Sequence, residues 1–258
     1  MPASDLSLLI EAAEAAGDIA RRYFNATPRI WEKEEGQGPV TEADMEIDRH
    51  LRENLLTERP SYGWLSEETE DDQDRLNRDK VFILDPIDGT RAFIEGQKLF
   101  GTALAVAEAG RVTAAVVHMP MLERTYHAEL GGAAMLNGQP ISAADAPDTT
   151  DARILTTRQT MQPEHWKEDV PGFSRHFRPS LAYRTCLTAA GEFDAMITLR
   201  PVWEWDVAAG ALIMEAAGAK VTDRAGFDAR FNNPHPQLKG MVAAGPALHS
   251  NILAKLVY

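Results

Sequence analysis

Apolar residues recur along the first quarter of this chain at helical spacing, and two amphipathic helices are predicted there. The apolar face of the first comprises Leu6, Leu9, Ile10, Ala13, Ala16, Gly17 and Ala20. We predict that this helix is capped by Ser4 or Asp5 and ends near Phe24. The second is predicted from its cap, Thr41, to about Leu56, with Met45, Ile47 and Leu51 partly buried. Residues 31–38, polar and glycine-containing, predict a loop between them.

A period of two replaces the helical period in the next hundred residues and predicts strands. Short apolar runs at residues 62–65 and 81–84 predict buried strands joined by a charged connection. Alternating runs at residues 99–108, 111–119 and 124–129 predict an antiparallel meander. Asn137-Gly138 is a hairpin signal that pairs residues 133–136 with 139–142.

The second half of the chain alternates strands with helices. Strands are predicted at residues 153–157, 194–199 and 241–244, and helices near 163–169 and at 181–190, 206–217 and 246–256. Strand runs followed by this alternation favour an α+β fold of stacked layers. We expect two halves, residues 1–145 and 146–258.

Composition and charge narrow the class of protein. At 258 residues with 44% hydrophobic and 25% charged residues, the chain can bury a full core. Its formal net charge of −13 argues against a protein that coats nucleic acid or an anionic membrane. The single cysteine, Cys186, is expected in the core. With neither a leader-like N-terminus nor an apolar run long enough to span a membrane, we expect a cytoplasmic location.

The most informative segment is Ile83-Leu84-Asp85-Pro86-Ile87-Asp88-Gly89-Thr90. An apolar run ends there in two aspartates on a stiff turn, and such paired carboxylates suit a hard divalent cation. The N–H groups of Gly89 and Thr90 suit an anion. The same residues also suit a plain turn, because proline, aspartate and glycine favour turn dihedrals. Both interpretations remain open from this segment alone.

Four other acids occupy a predicted strand end or helix start where a metal site could use them: Asp44, Glu67, Glu68 and Asp206. Each has a structural alternative. Asp44 would complement a helix dipole, and Asp206 would serve as a helix cap. Glu67 and Glu68 would belong to a solvated acidic run.

Together these motifs resemble the inositol monophosphatase superfamily. Residues 84–93, Leu-Asp-Pro-Ile-Asp-Gly-Thr-Arg-Ala-Phe, are similar to its first signature, and residues 205–210, Trp-Asp-Val-Ala-Ala-Gly, to its second. The Ser-Glu-Glu of residues 66–68 and the Val-Thr-Glu-Ala-Asp of residues 40–44 match two upstream motifs. Order and spacing agree across nearly the whole chain, which favours the metal-and-phosphate interpretation of the turn.

The resemblance implies a layered αβαβα sandwich, usually dimeric and lithium-sensitive, that hydrolyses a small phosphomonoester with two or three Mg²⁺ ions. The metal ligands that it implies are Glu67, Asp85, Asp88, Asp206 and the carbonyl oxygen of Ile87. Asp85 would lie between two ions, and Asp44 with Glu67 would support a third.

The resemblance also implies the catalytic groups. Thr90, paired with Asp44 and Glu67, would orient a water and take its proton. Two cations stabilise the attacking and leaving oxygens of such a displacement, so no serine or cysteine nucleophile is required and we expect no phosphoenzyme. Lys33 in the predicted loop and Arg91 after Thr90 are candidates to reach the site. A solvated surface position is the alternative for each.

The ester is less clearly indicated than the reaction. Inositol-preferring members carry an acid seven positions before the second-signature aspartate, where this chain has Leu199. The segment Glu204-Trp205-Asp206, with Arg91, Arg184 and Arg200, looks more like that of 3′(2′),5′-bisphosphate nucleotidases. In those enzymes a second phosphate needs a cation. The substrate contacts expected are Asp88, Gly89, Thr90, Arg91, Arg184 and Arg200.

Three alternatives to a bisphosphate nucleotide stay open. Histidinol phosphate is the first, because histidinol-phosphate phosphatases share the Asp-Gly-Thr-Arg pattern. Inositol and sugar phosphates are the second. A non-catalytic metal-binding relative is the distant alternative, although it would have no use for Thr90. In each catalytic case the expected partner is a small phosphorylated metabolite, bound by a homodimer.

Overall fold

The computed structural model describes residues 3–24, 26, 28–33 and 38–257. Its helices are α1 (Asp5–Phe24), α2 (Glu42–Glu58), α3 (Thr90–Ile94), α4 (Leu181–Ala189), α5 (Glu204–Ala216) and α6 (Pro246–Lys255). The strands of its first half are β1 (Ile30–Glu32), β2 (Pro39–Thr41), β3 (Gly63–Ser66), β4 (Lys80–Asp88), β5 (Gly101–Glu108), β6 (Arg111–Met119), β7 (Arg124–Glu129), β8 (Met135–Leu136) and β9 (Gln139–Pro140). Those of its second half are β10 (Arg153–Leu155), β11 (Ser174–His176), β12 (Ala195–Thr198), β13 (Val202–Trp203), β14 (Lys220–Thr222), β15 (Gln237–Leu238) and β16 (Met241–Ala244).

Two sheets form the framework. A seven-stranded sheet has the strand order β3-β4-β5-β6-β7-β8-β9, in which β3 is parallel to β4 and the other neighbours are antiparallel. A five-stranded sheet has the order β11-β10-β12-β16-β14. The predicted meander and the hairpin at Asn137-Gly138 are therefore confirmed, with positive φ at both turn residues.

Helices fill the space outside and between the sheets. Strand β4 shows how: Val81 and Ile83 face the core that contains α4 and α5, whereas Phe82 and Leu84 face α1 and α2. The α4–α5 core also includes residues of the five-stranded sheet, and α6 packs on that sheet's other face. The order of layers is helices, sheet, helices, sheet, helix, which confirms the αβαβα sandwich.

The two N-terminal helices begin where the cap residues predict. In α1, the backbone N–H of Ser7 donates to Ser4 Oγ at 3.1 Å. Thr41 forms a capping box with α2, in which Thr41 Oγ1 accepts from Ala43 N and the Asp44 carboxylate accepts from Thr41 N. Met45, predicted to be partly buried, is instead 47% exposed, because it lies on the face of α2 away from the sheet.

Three sequence-based expectations for secondary structure were wrong. Part of the predicted loop at 31–38 is a hairpin, since Ile30–Glu32 pairs with Pro39–Thr41; residues 34–37 lie outside the described part of the chain. Instead of a helix near 163–169, only the 3₁₀ turn Pro163–His165 forms, because Trp166 is extended and bridges Leu256. Helix α5 begins at Glu204, so Asp206 lies in its first turn and is not its cap.

The short strands β11, β13, β14 and β15 were not predicted. Each has only two or three residues, too few for a periodic pattern, and pairing partners distant in sequence define them. The division into halves at residue 145 stays a prediction. Within the described residues, no helix combines the length and the apolarity that crossing a membrane requires.

Candidate active site

Three carboxylates meet where β3, β4 and the start of α5 come together. Glu67, Asp85 and Asp206 each offer one oxygen, and these oxygens lie within 4.8 Å of one another. Glu67 directly follows β3, Asp85 lies in β4, and Asp206 lies in the first turn of α5. Parallel pairing of β3 with β4 matches Ser66 to Leu84, and this register brings the next residues, Glu67 and Asp85, side by side.

The chemistry of this group fits a divalent cation. Asp85 is 2% exposed, and its Oδ1 has no hydrogen-bond partner among the described residues. Burial raises the pKa of Asp85 well above its ordinary value, and the neighbouring charges of Glu67 and Asp88 raise it further. Because a buried carboxylate without a donor or a countercharge is costly, a hard cation bound by these oxygens would relieve both deficits.

Asp88, three residues further along β4, is engaged differently. Its Oδ2 accepts from Ser180 Oγ at 2.6 Å and from Ala182 N at 2.5 Å, and its Oδ1 accepts from Leu181 N at 3.2 Å. Burial raises the pKa of Asp88 to about 6 despite these bonds. The carboxylate therefore holds the N-terminus of α4, and its part in binding a metal stays a prediction, which its remaining lone pairs permit.

Thr90 and Asp44 lie beside this group. Thr90 Oγ1 donates to the carbonyl of Ile87 at 3.0 Å and lies 3.4 Å from Asp44 Oδ1. Asp44 is fully buried, and burial raises its pKa to about 6, although bonds from Thr41 oppose that rise. The Ile87 carbonyl, the expected metal ligand, thus accepts from Thr90 in this structure.

Gly89 makes the turn between Asp88 and Thr90 possible. Its φ is +100°, and a Cβ there would lie 3.2 Å from the carbonyl oxygen of Leu99. Only glycine adopts this conformation without strain, so α3 can begin at Thr90 immediately after β4.

Lys33 reaches the site. Its ammonium donates to Glu67 Oε1 and to Glu68 Oε1, both at 2.7 Å, and only 12% of its side chain is exposed. The alternative of a solvated surface lysine is therefore wrong, as is that of a solvated acidic run for Glu67 and Glu68. Burial raises the pKa of Glu68 to about 8, with a further contribution from Glu67.

Five of the six expected substrate residues, all but Asp88, line a cavity of about 850 Å³ next to the carboxylates. Its wall includes Gly89 and Thr90, together with four arginines: Arg91, Arg178, Arg184 and Arg200. Arg178 was not expected from the sequence, and neither were Phe177 and Glu95 in the same wall. No local pattern marks them, because they come from segments far apart in the chain.

Cys186 is fully buried, and burial raises the pKa of its thiol far above the ordinary value. It lies in the core between the sheets, as predicted, and does not line the cavity. A thiolate nucleophile is therefore not available from this residue.

Comparison with known proteins gives one consistent answer. The model of the inositol monophosphatase family matches residues 2–257. Inositol-1-monophosphatase of Rhizobium meliloti is 32% identical over 236 residues, covering 86% of this chain and 86% of the relative. Histidinol-phosphatase of Chlorobaculum parvum is 29% identical over 259 residues, covering 98% of this chain and 96% of the relative.

Solved structures agree with the sequence comparison. The IMPase of Thermotoga maritima superimposes with a TM-score of 0.81 at 26% identity, over 96% of this chain and 95% of that one. Family members are phosphatases and in general depend on Mg²⁺, for which the acidic group around Asp85 is suited. The match over the whole chain, the layered fold and the grouped carboxylates together show that the chain is a phosphatase of the inositol monophosphatase family.

Proposed function

We propose that this phosphatase hydrolyses a phosphomonoester that carries a second anionic group, with a 3′(2′),5′-bisphosphate nucleotide such as adenosine 3′,5′-bisphosphate as the substrate. The products would be AMP and inorganic phosphate. The observation that carries the proposal is the cavity of about 850 Å³, in which four arginines and two carboxylates, Glu67 and Glu95, are the charged groups among the described residues. Guanidinium groups in excess of carboxylates beside a phosphatase centre suit a substrate that carries a second anionic group besides the phosphate that is cleaved.

Arg184 is the most deeply buried of the four arginines in that cavity. It is 6% exposed, its Nε donates to the carbonyl of Arg178 at 2.6 Å, and its guanidinium lies 4.4 Å from the ring centre of Phe177. Burial lowers the pKa of Arg184 to about 10; Asp88 opposes this effect and Arg200 adds to it. A phosphate bound between Arg184 and Arg200 would offset the burial and the repulsion of the two cations together.

The roles proposed for the chain near the reacting phosphate follow from the contacts at β4. Glu67, Asp85 and Asp206, with Asp88 and the Ile87 carbonyl, would hold two or three Mg²⁺ ions. Bound there, the ions would supply charge neutralisation of the phosphate and activation of a water. Thr90 Oγ1 would orient that water, and Asp44, with its pKa of about 6, would receive the proton through the Thr90 hydroxyl.

Histidinol phosphate is the second candidate, because the similarity to the histidinol-phosphatase of Chlorobaculum parvum covers 98% of this chain. Histidinol carries an ammonium group, which four arginines would repel. Inositol 1-phosphate is less well suited, since Leu199 is 4% exposed and packs in the core on the outer face of the five-stranded sheet. It offers no acceptor to a ring hydroxyl.

The test is phosphate release from adenosine 3′,5′-bisphosphate, histidinol phosphate and inositol 1-phosphate, each with Mg²⁺ and with EDTA. We expect the bisphosphate to have the highest kcat/KM. Arg200→Gln should raise the KM for the bisphosphate about tenfold and leave that for inositol 1-phosphate nearly unchanged. Preference for histidinol phosphate, or an equal effect of Arg200→Gln on all three esters, would contradict the assignment.

Two properties expected from the family complete the proposal, inhibition by Li⁺ and a homodimeric state, together with the cytoplasmic location expected from the sequence. Each has its own measurement. These are the Li⁺ dependence of phosphate release, the mass of the particle in solution, and the compartment in which the protein fractionates.

A further inference from the structure

A second cavity, of about 520 Å³, shares Glu67 with the 850 Å³ cavity lined by the four arginines, which we call the arginine cavity. Its wall contains an aromatic group, Trp203, Trp205 and His235, and an acidic group, Glu67, Glu68, Glu70 and Asp71. None of the expected substrate contacts lines it, and of the side chains proposed to bind Mg²⁺ only Glu67 does. We call it the tryptophan cavity.

The aromatic wall is an ordered stack. The rings of Trp203 and Trp205 lie 4.7 Å apart at an interplanar angle of 9°, and His235 lies 5.5 Å from Trp203. Trp203 ends β13 and Trp205 lies in the first turn of α5, so regular structure holds both indoles. Both are half-buried, which leaves part of each available to the cavity.

Charge gives this cavity the opposite sign to its neighbour. Among the described residues of its wall, Lys33 is the one lysine or arginine, against four acids, and its ammonium is paired with Glu67 and Glu68. Asp71 is paired with Arg75 at 2.6 Å. Glu70 is exposed and makes no hydrogen bond or ion pair within the described part of the chain. One acid therefore faces the cavity without a countercharge.

A buried polar network fixes the two walls relative to each other. Glu204, fully buried, accepts from the N–H groups of Asn232 and Asn233 at 2.6 and 2.9 Å. Arg75, 2% exposed, donates to Asn232 Oδ1 and to Asp71. The aromatic wall and the acidic wall are thus joined through side chains that have satisfied partners, and the cavity is shaped before a ligand binds.

We propose that the tryptophan cavity binds a planar organic cation, a positively charged heteroaromatic ring. The indole faces would attract the cation and stack on its ring, and Glu70 would supply the countercharge. The arginine cavity would repel the same ligand. The proposal does not depend on which ester the phosphatase cleaves.

The test uses the full chain with saturating Mg²⁺ and without any phosphate ester. Tryptophan fluorescence is titrated with 1-methylnicotinamide, a planar cation, and with nicotinamide, its uncharged counterpart. We expect saturable quenching by the cation alone. Trp31, 46% exposed and outside the cavity, contributes a component that rises linearly with either probe and is subtracted.

Two variants and one control locate the effect. Trp203→Phe and Glu70→Gln should each weaken the binding of 1-methylnicotinamide about fivefold. Glu95→Gln, the same change at an exposed acid in the arginine cavity, should leave it unchanged. Because Glu70 is exposed, its variant folds as the wild type does, so a change in binding is not a change in folding.

Linear quenching by both probes would overturn the proposal, as would a saturable effect that Glu70→Gln and Glu95→Gln reduce equally. The phosphatase assay is separate from this measurement. Loss of the preference for a bisphosphate would leave the cation site in place, and failure of the cation to bind would leave the proposed ester in place.

Discussion

The hydroxyl of Ser180 donates to Oδ2 of Asp88 at 2.6 Å, and Ser180 Oγ in turn accepts from the backbone N–H of Tyr183 at 2.9 Å. Ser180 is the N-cap of α4, and Asp88 is the last residue of β4. One hydroxyl therefore connects the strand that carries two of the acids to a helix of the second half. Three backbone and side-chain donors at the start of α4 fix the Asp88 carboxylate.

Ser180→Ala should lower the free energy of unfolding by about 1–2 kcal/mol, because it removes both the helix cap and a donor to a buried carboxylate. Urea unfolding measures the change. Ser180→Thr keeps the hydroxyl and should lose less than half as much. Equal losses in the two variants would show that the hydroxyl is not the stabilising group.

Thr90→Val should lower kcat about 100-fold with little change in KM, because it removes the hydroxyl that lies between Asp44 and the Ile87 carbonyl. Thr90→Ser retains the hydroxyl and serves as the matched control. The stabilisation of both variants by Mg²⁺, measured as a rise in Tm, should equal that of the wild type. If serine fails as badly as valine, the hydroxyl is not what catalysis requires.

Asp85→Asn should abolish Mg²⁺-dependent phosphate release while raising Tm in EDTA by about 2 °C or more. Three carboxylate oxygens within 4.8 Å repel one another, and the neutral amide relieves part of that repulsion. Mg²⁺ should then stabilise the wild type and not the variant. Asp79→Asn, at an exposed position, is the control, and a fall of Tm in EDTA for Asp85→Asn alone would contradict the account.

Gly210→Ala should destabilise the protein by about 1–3 kcal/mol. A Cβ at this position of α5 would overlap Thr185 Oγ1 and lie 2.5 Å from Thr185 Cβ, so α4 and α5 could not keep their present separation. Adding Thr185→Ala should recover part of the loss, and the double-mutant cycle in urea measures the coupling. Additive losses would mean that the two positions do not touch.

The free energy of unfolding should fall as pH decreases from about 6.5 towards 4, in part because of His249. Burial lowers the pKa of His249 to about 4, with a contribution from Lys220, while the unfolded chain titrates near the ordinary value of 6.5. Between these values the unfolded chain binds a proton that the folded chain does not, so this stability is full above 6.5 and is lost on acidification.

His249→Gln should make the decline between pH 6.5 and 4.5 shallower, because glutamine does not titrate. Urea unfolding at several pH values measures the free energy of unfolding and therefore this slope. His235→Gln, at an exposed position, is the control. A slope unchanged in His249→Gln would assign the acid sensitivity to other groups, His118 among them, whose pKa burial also lowers to about 4.

The elements that depend on near neighbours could be predicted from the sequence. Helix α1 follows from apolar residues three and four apart, the start of α2 from the cap at Thr41, and the hairpin at Asn137 from its two turn residues. Such patterns act within one or two turns of chain, where periodicity and capping decide the conformation. The helix expected near 163–169 failed because the pairing of Trp166 with distant Leu256 outweighed the local pattern.

The identity of the acids and of the family was likewise contained in the sequence, because the motifs around Asp85 and Asp206 are local. Only the tertiary structure decided what these residues touch. Lys33 meets Glu67 across 34 positions of the chain, and Ser180 meets Asp88 across 92. The net charge of each cavity and the residues that line it depend in the same way on segments that packing brings together. Periodicity describes one segment at a time, whereas the charge of a cavity is a sum over many.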